Sequence, residues 1–111
     1  MHSYKLTHPT GEEWILVRAP RLLERQHATA LVEHCEQELG DQTRLLIDLS
    51  DTVLIGSAGI SALLEIDQRV REYGGNLRIA GATTDVLQTL RMVRVDQLLA
   101  VYPSLHEALA S

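Results

Sequence analysis

Between Leu45 and Ile66 the chain reads LLIDLSDTVLIGSAGISALLEI, in which an apolar run, a small-residue turn and a helix start follow one another without a spacer. The run Leu45-Leu46-Ile47-Asp48-Leu49 is too short for a stable helix. Its continuous hydrophobicity predicts a strand covered on both faces. Asp48 then needs partners, and backbone N–H groups of the loop that follows are the natural ones.

At Gly56-Ser57-Ala58-Gly59 small side chains let backbone approach backbone. Ser57 is placed to cap the helix that follows, and the exposed N–H groups of a helix start favour negative charge. A phosphate added to Ser57 would sit well against that dipole, so Ser57 is also the candidate phosphoacceptor.

The rest of the chain organises around this unit. Ser3 to Thr7 and Trp14 to Arg18 flank a Pro- and Gly-containing turn and read as a hairpin, with Trp14 expected at the sheet edge. A first helix follows Pro20 and ends near Gly40. The strand from Arg44 to Leu49 leads to a helix from about Ala58 to Tyr73, closed by Gly74-Gly75, one of which takes a left-handed cap. Leu77 to Ala80 is a further strand. Thr83-Thr84-Asp85 starts a short amphipathic helix through Val86, Leu87 and Leu90. Leu98 to Tyr102 reads as a last strand, and Ser104 to Glu107 has the spacing of a capping box for a last helix. Strands alternating with helices imply an α/β layer with right-handed crossovers.

Composition narrows the function. With 111 residues and 45% hydrophobic content, one domain over 1–111 can bury a real core and leaves no room for a second. A net charge of −5 with scattered Lys and Arg argues against a nucleic-acid groove. No apolar stretch is long enough to insert in a membrane and the start lacks a secretory core, so the expected location is cytoplasmic. Cys35 shares one helical stripe with Ala28, Leu31, Val32 and Leu39 and reads as a core residue. His27 and His34 fall about 100° from that stripe and read as solvated, without a third metal ligand. There is no nucleophile elbow, phosphate loop or dinucleotide fingerprint, and no patterned partner to activate Ser57, so neither a catalytic residue nor a cofactor is expected.

At DLS-DTVLI-GSAG-I the chain resembles the STAS family, the anti-sigma factor antagonist domains of bacterial partner switching, whose signature runs DLS, a hydrophobic spacer, then D-S-S-G-L. The stretches Tyr73 to Ile79 and Val101 to Leu109 resemble the family's later strand and closing segment. The resemblance implies a single α/β STAS domain, a mixed four- to five-stranded sheet with about four helices mainly on one face. It also implies departures. The family phosphoacceptor position is Ala58, which has no hydroxyl, and the acid before the serines is Gly56. A family acidic turn appears as Ala19-Pro20-Arg21-Leu22, with no acid until Glu24. Two acidic positions and their local negative charge are thus expected to be missing. Arg94 stands where the family often has a glycine, which implies a modest rearrangement of that turn.

On the central helix Gly59, Leu63, Ile66, Val70 and Tyr73 make the natural core stripe, while Ile60 and Leu64 run into Asp67 and Arg71 beside it. That second stripe is most simply the rim of the core, yet it begins beside Ser57 and suits a contact surface. In the family the partner docks near this helix start, so Ser50, Asp51, Gly56, Ser57, Ala58, Ile60 and Leu64 are the expected contact patch. The implied function is a non-enzymatic regulatory module competing for an anti-sigma factor or GHKL-type serine kinase, with a PP2C-type phosphatase as a further partner. The alternatives are a STAS subunit of a lipid-transport ABC system and a scaffold subunit of a stress-sensing complex.

Overall fold

The computed structural model describes residues 1–110; Ser111 lies outside the described residues. Strands β1 (Ser3–Thr7) and β2 (Glu13–Arg18) pair antiparallel as a hairpin, with Leu6 opposite Trp14. After β3 (Leu22–Leu23) come α1 (Arg25–Glu38), β4 (Arg44–Asp48), β5 (Leu54–Ile55) and α2 (Ser57–Glu72). The chain continues through β6 (Asn76–Ala80), α3 (Thr84–Met92), a 3-10 turn over Val95–Gln97, β7 (Ala100–Tyr102) and α4 (Leu105–Ala110).

The main sheet runs β1-β2-β4-β6-β7, parallel except for β1. This makes β4 the middle strand, which is why Leu45 to Leu49 carry apolar side chains on both faces and are buried throughout, Asp48 included. One face of the sheet supplies Val17, Leu45, Ile47, Leu77 and Ile79 to a core completed by α1, α2 and α3. The other supplies Trp14, Leu16, Leu46 and Ala80 to a smaller cluster closed by Ala108 of α4, with Leu105 and Leu109 alongside. Three helices therefore lie on one face and one on the other, the mixed α/β arrangement expected of this chain.

A second, two-stranded sheet has no counterpart in the sequence pattern. β3 and β5 pair in parallel, Leu22 with Leu54 and Leu23 with Ile55, beyond the carboxyl ends of β2 and β4. This strand occupies part of the stretch expected to form the first helix after Pro20, and α1 starts only at Arg25. Two residues are too few for period-2 patterning to register. The pair is held by Leu23, fully buried, and by Gly59 on the first turn of α2: a Cβ at Gly59 would overlap the Leu23 carbonyl oxygen.

Several other details differ from the expectations. Tyr73 is not on the core stripe: it caps α2 at its C-terminus and is 48% exposed, because the helix ends there and Gly74 turns the chain away in the left-handed region. Trp14 sits on the second strand of the sheet, not at its edge, and is buried beneath α4 with the Arg78 guanidinium 4.5 Å from its ring centroid. The last strand begins at Ala100, and Leu98 is exposed on the turn before it. Arg94 itself adopts the left-handed conformation (φ 61°), which costs a non-glycine residue about 1 kcal/mol. His27 is exposed as expected, but His34 is half-buried, with Nε2 2.7 Å from the Ser3 hydroxyl, which in turn donates to Glu38. Thr83 and Ser104 cap α3 and α4 through the N–H groups of Val86 and Glu107.

Cys35 is fully buried in the main core, and burial, with Glu38 and Glu36 adding, pushes its thiol up to about 12. The thiol is therefore neutral and shielded at neutral pH. Ellman's reagent in mildly alkaline buffer is expected to leave the folded protein unlabelled and to titrate one thiol after denaturation. Separately, Gly59→Ala drives a methyl group into backbone that cannot step aside. Chemical denaturation should show a loss of about 1–3 kcal/mol or more, and a neutral result would mean that β3 does not press on α2 as described.

Candidate functional site

The loop from β4 to α2 is built by backbone contacts to the β2–β3 connection. Asp48 accepts the Ser50 N–H at 2.9 Å through Oδ1 and faces Arg18 Nε at 3.5 Å through Oδ2. It is thus the organiser of the loop, as its position at the strand end implied. Thr52, fully buried, donates its hydroxyl to the Pro20 carbonyl, and the Val53 N–H donates to the Arg21 carbonyl. The Gly56 N–H then reaches the Leu23 carbonyl at 3.1 Å. Fastenings recur all along the loop, so the exposed Ser50 and Asp51 lie on a defined turn.

The start of α2 differs from expectation at Ser57. Gly56 is the N-cap residue, has extended backbone and offers no side-chain cap, and Ser57 is the first helical residue. The first helical bond, from the Ile60 N–H, goes to the Gly56 carbonyl. A serine inside the first turn projects outward instead of folding back onto the free N–H groups. Ser57 is exposed, while Gly56, Ala58, Ile60 and Leu64 are half-buried, the last three packed against the main core. The second stripe of α2 is accordingly the rim of the core with one edge open to water.

The charge missing at position 56 is supplied from elsewhere. A Cβ on Gly56 would lie 3.2 Å from Glu24 Cβ and 3.4 Å from Glu24 Oε2. Glu24 is the N-cap residue of α1, its carbonyl accepting from His27 and Ala28, and its carboxylate rests at the start of α2. The expected loss of negative charge there is therefore corrected: an acid displaced in sequence returns in space, favourably placed against the α2 dipole. Leu22, Val53 and Leu54 belong to the same region, at 39%, 50% and 49% exposure. Of the hydrophobic spacer Val53-Leu54-Ile55 only Ile55 is buried, since β5 has a partner strand on one side and solvent over its outer face. This apolar ridge and Glu24 escape a sequence reading, the ridge for want of any signal of its exposure.

Between α1 and α2 a groove of about 460 Å³ runs up to Ala58, lined by small side chains including Ala28, Ser61 and Ala62.

The STAS domain family model matches residues 7–108. This chain belongs to the STAS family. Among solved structures it resembles a putative anti-sigma factor antagonist from Thermotoga maritima, with TM-score 0.77 at 16% identity over 97% of this chain and 92% of that one. A STAS domain protein from Planctomyces limnophilus gives TM-score 0.77 at 21% identity over 97% and 95% of the two chains. The STAS domain of a SulP transporter from Vibrio cholerae gives 0.62 at 24% identity over 85% and 77%. No curated protein matches the chain. At these identities the likeness is one of fold. Among the described residues no helix is long and apolar enough to cross a membrane.

The crowding of Glu24 on Gly56 makes a test. Gly56→Asp should destabilise the STAS domain by bringing two carboxylates together against a tight contact. Glu24→Gln should recover part of that loss in the double variant, a non-additivity of about 0.5 kcal/mol or more by denaturation. Strict additivity would mean that the two positions do not touch.

Proposed function

We propose that this STAS protein is a non-enzymatic binding module that acts as an anti-sigma factor antagonist, competing for a GHKL-type serine kinase or related switch protein. The observation that carries the reading is the surface at the start of α2. There the exposed Ser57, the half-buried Ala58, Ile60 and Leu64 and the rigid Ser50–Asp51 turn adjoin the apolar ridge of Leu22, Val53 and Leu54. An apolar centre with a polar edge is the composition of a transient protein interface. Glu24 and Asp51 add acidic points, and Arg21 and Arg25 are the exposed cations on the same stretch of chain as Glu24.

Control follows from chemistry at two adjacent positions. Ala58 offers no oxygen to phosphorylate, so a kinase that reads the family position finds nothing to modify. Ser57 is the remaining acceptor, and a phosphate there would add about −1.5 to −2 charge at the helix start that Glu24 already approaches, altering the docking surface. A PP2C-type phosphatase would be needed only if Ser57 is modified. The absent hydroxyl at Ala58 also suits a constitutive subunit of a lipid-transport ABC system, in which the domain clamps its partner without a phosphorylation cycle.

Affinity purification of the tagged protein from its host, with mass spectrometry of the retained proteins and of the Ser57 peptide, separates these readings. A serine kinase in the eluate supports partner switching, and a transport ATPase without a kinase supports the second. With the kinase in hand, Leu54→Asp should weaken binding about tenfold or more if the ridge is the centre of the interface. Ala58→Ser should gain a phosphate on incubation with the kinase and ATP. A kinase that binds this variant but leaves the new hydroxyl unmodified overturns the idea that Ala58 alone removes the switch.

A further inference from the structure

The corner between α3 and β7 leaves three large apolar side chains in water within seven residues. Met92 is 76% exposed, Val93 50% and Leu98 61%. Single exposed apolar side chains are ordinary, but a cluster of them marks a surface that is covered in use. Arg91 and Arg94 flank the cluster, both exposed and neither in an ion pair among the described residues. Asp96, half-buried, lies on the same turn, so the rim of this apolar corner carries two exposed cations against one partly covered acid.

The groove between α1 and α2 is its inverse. Its lining includes Ala28, Ala58 and Ala62, which leave space where larger side chains would fill it. The same lining carries three glutamates and one arginine, Arg25. Glu36 is held by Arg69 at 2.9 Å, while Glu33 and Glu65 are exposed with no ion pair among the described residues. The groove therefore has an acidic rim over a small-residue floor, complementary in charge and in side-chain size to the corner.

The two surfaces lie over opposite halves of the sheet. α1 links β2 to β4, whereas α3 links β6 to the edge strand β7, with α2 on the crossover between them. One molecule does not fill its own groove. We infer that the occupant of the α1–α2 groove is the Met92 to Leu98 corner of a second copy of this chain. Such contact is heterologous, head to tail, and leaves a free groove at one end and a free corner at the other. It is small, so it is weak, and the Arg91 and Arg94 to Glu33 and Glu65 pairings orient it more than they strengthen it. Because Ala58 belongs both to this groove and to the partner patch, self-association would compete with docking at the start of α2.

Sedimentation of the purified chain alone tests this independently of any partner, so failure of the proposed anti-sigma role does not affect the result. Between about 10 µM and 1 mM, the range in which small interfaces associate, the weight-average mass should rise above the 12.4 kDa of the monomer. Met92→Asp, on the corner, and Glu65→Arg, on the groove, should each keep the chain monomeric over that range. Both side chains are exposed, and an unchanged circular dichroism spectrum confirms folding. Mixing the two variants should restore a dimer and nothing larger, because each retains the half that the other has lost. A wild-type chain that stays monomeric, an oligomer that survives either substitution, or a mixture that stays monomeric overturns the inference.

Discussion

The contact on which the rest depends is the approach of the Leu23 carbonyl to the first turn of α2. Its oxygen accepts the Gly56 N–H and lies where any side chain at Gly59 would be. No side chain stands between the two backbones, so β3, β5 and the start of α2 behave as one block. The packing of Leu23 and Ile55 inside the main core follows from that block. So does the outward position of Leu22 and Leu54, since neighbours on a short strand face opposite sides. The outer side of this joint is an exposed apolar ridge, and its inner side is core.

Much of the fold was legible because strong periodicity and strong punctuation coincided. The unbroken apolar run at Leu45 to Leu49, the stripe of Leu63, Ile66 and Val70 and the caps at Thr83 and Ser104 each had one simple reading, and the chain adopts it. What was not legible depended on length or on space. β3 and β5 are two residues each and exist because they pair with each other, a relation across 32 positions of sequence. Tyr73 fits the helical stripe in angle but falls where the helix has already ended. The one-position error at Ser57 shifts a serine from the cap, where it would serve the backbone, to the first turn, where it faces solvent.

The proposed site was legible as a motif and not in its full composition. The small-residue turn draws attention to the start of α2, yet reading the motif position by position gives a missing acid at Gly56. In space the carboxylate of Glu24 occupies that neighbourhood, carried by the cap of another helix. Residues that exchange roles between two chain segments keep the local field while erasing the linear motif. Helix starts that converge at the carboxyl ends of parallel strands make such exchanges easy, because several N-termini share one small region.

Trp14, the lone tryptophan, is enclosed between the sheet and α4, with the Arg78 guanidinium over its ring, on the face opposite α1, α2 and α3. The molecule's intrinsic emission is thus governed by the closing helix and by a cation on the indole ring. Events at the start of α2 must cross the full thickness of the sheet to reach it. An optical signal from this protein is a gauge of how firmly its back is shut, and a partner settling on the front can pass without a flicker.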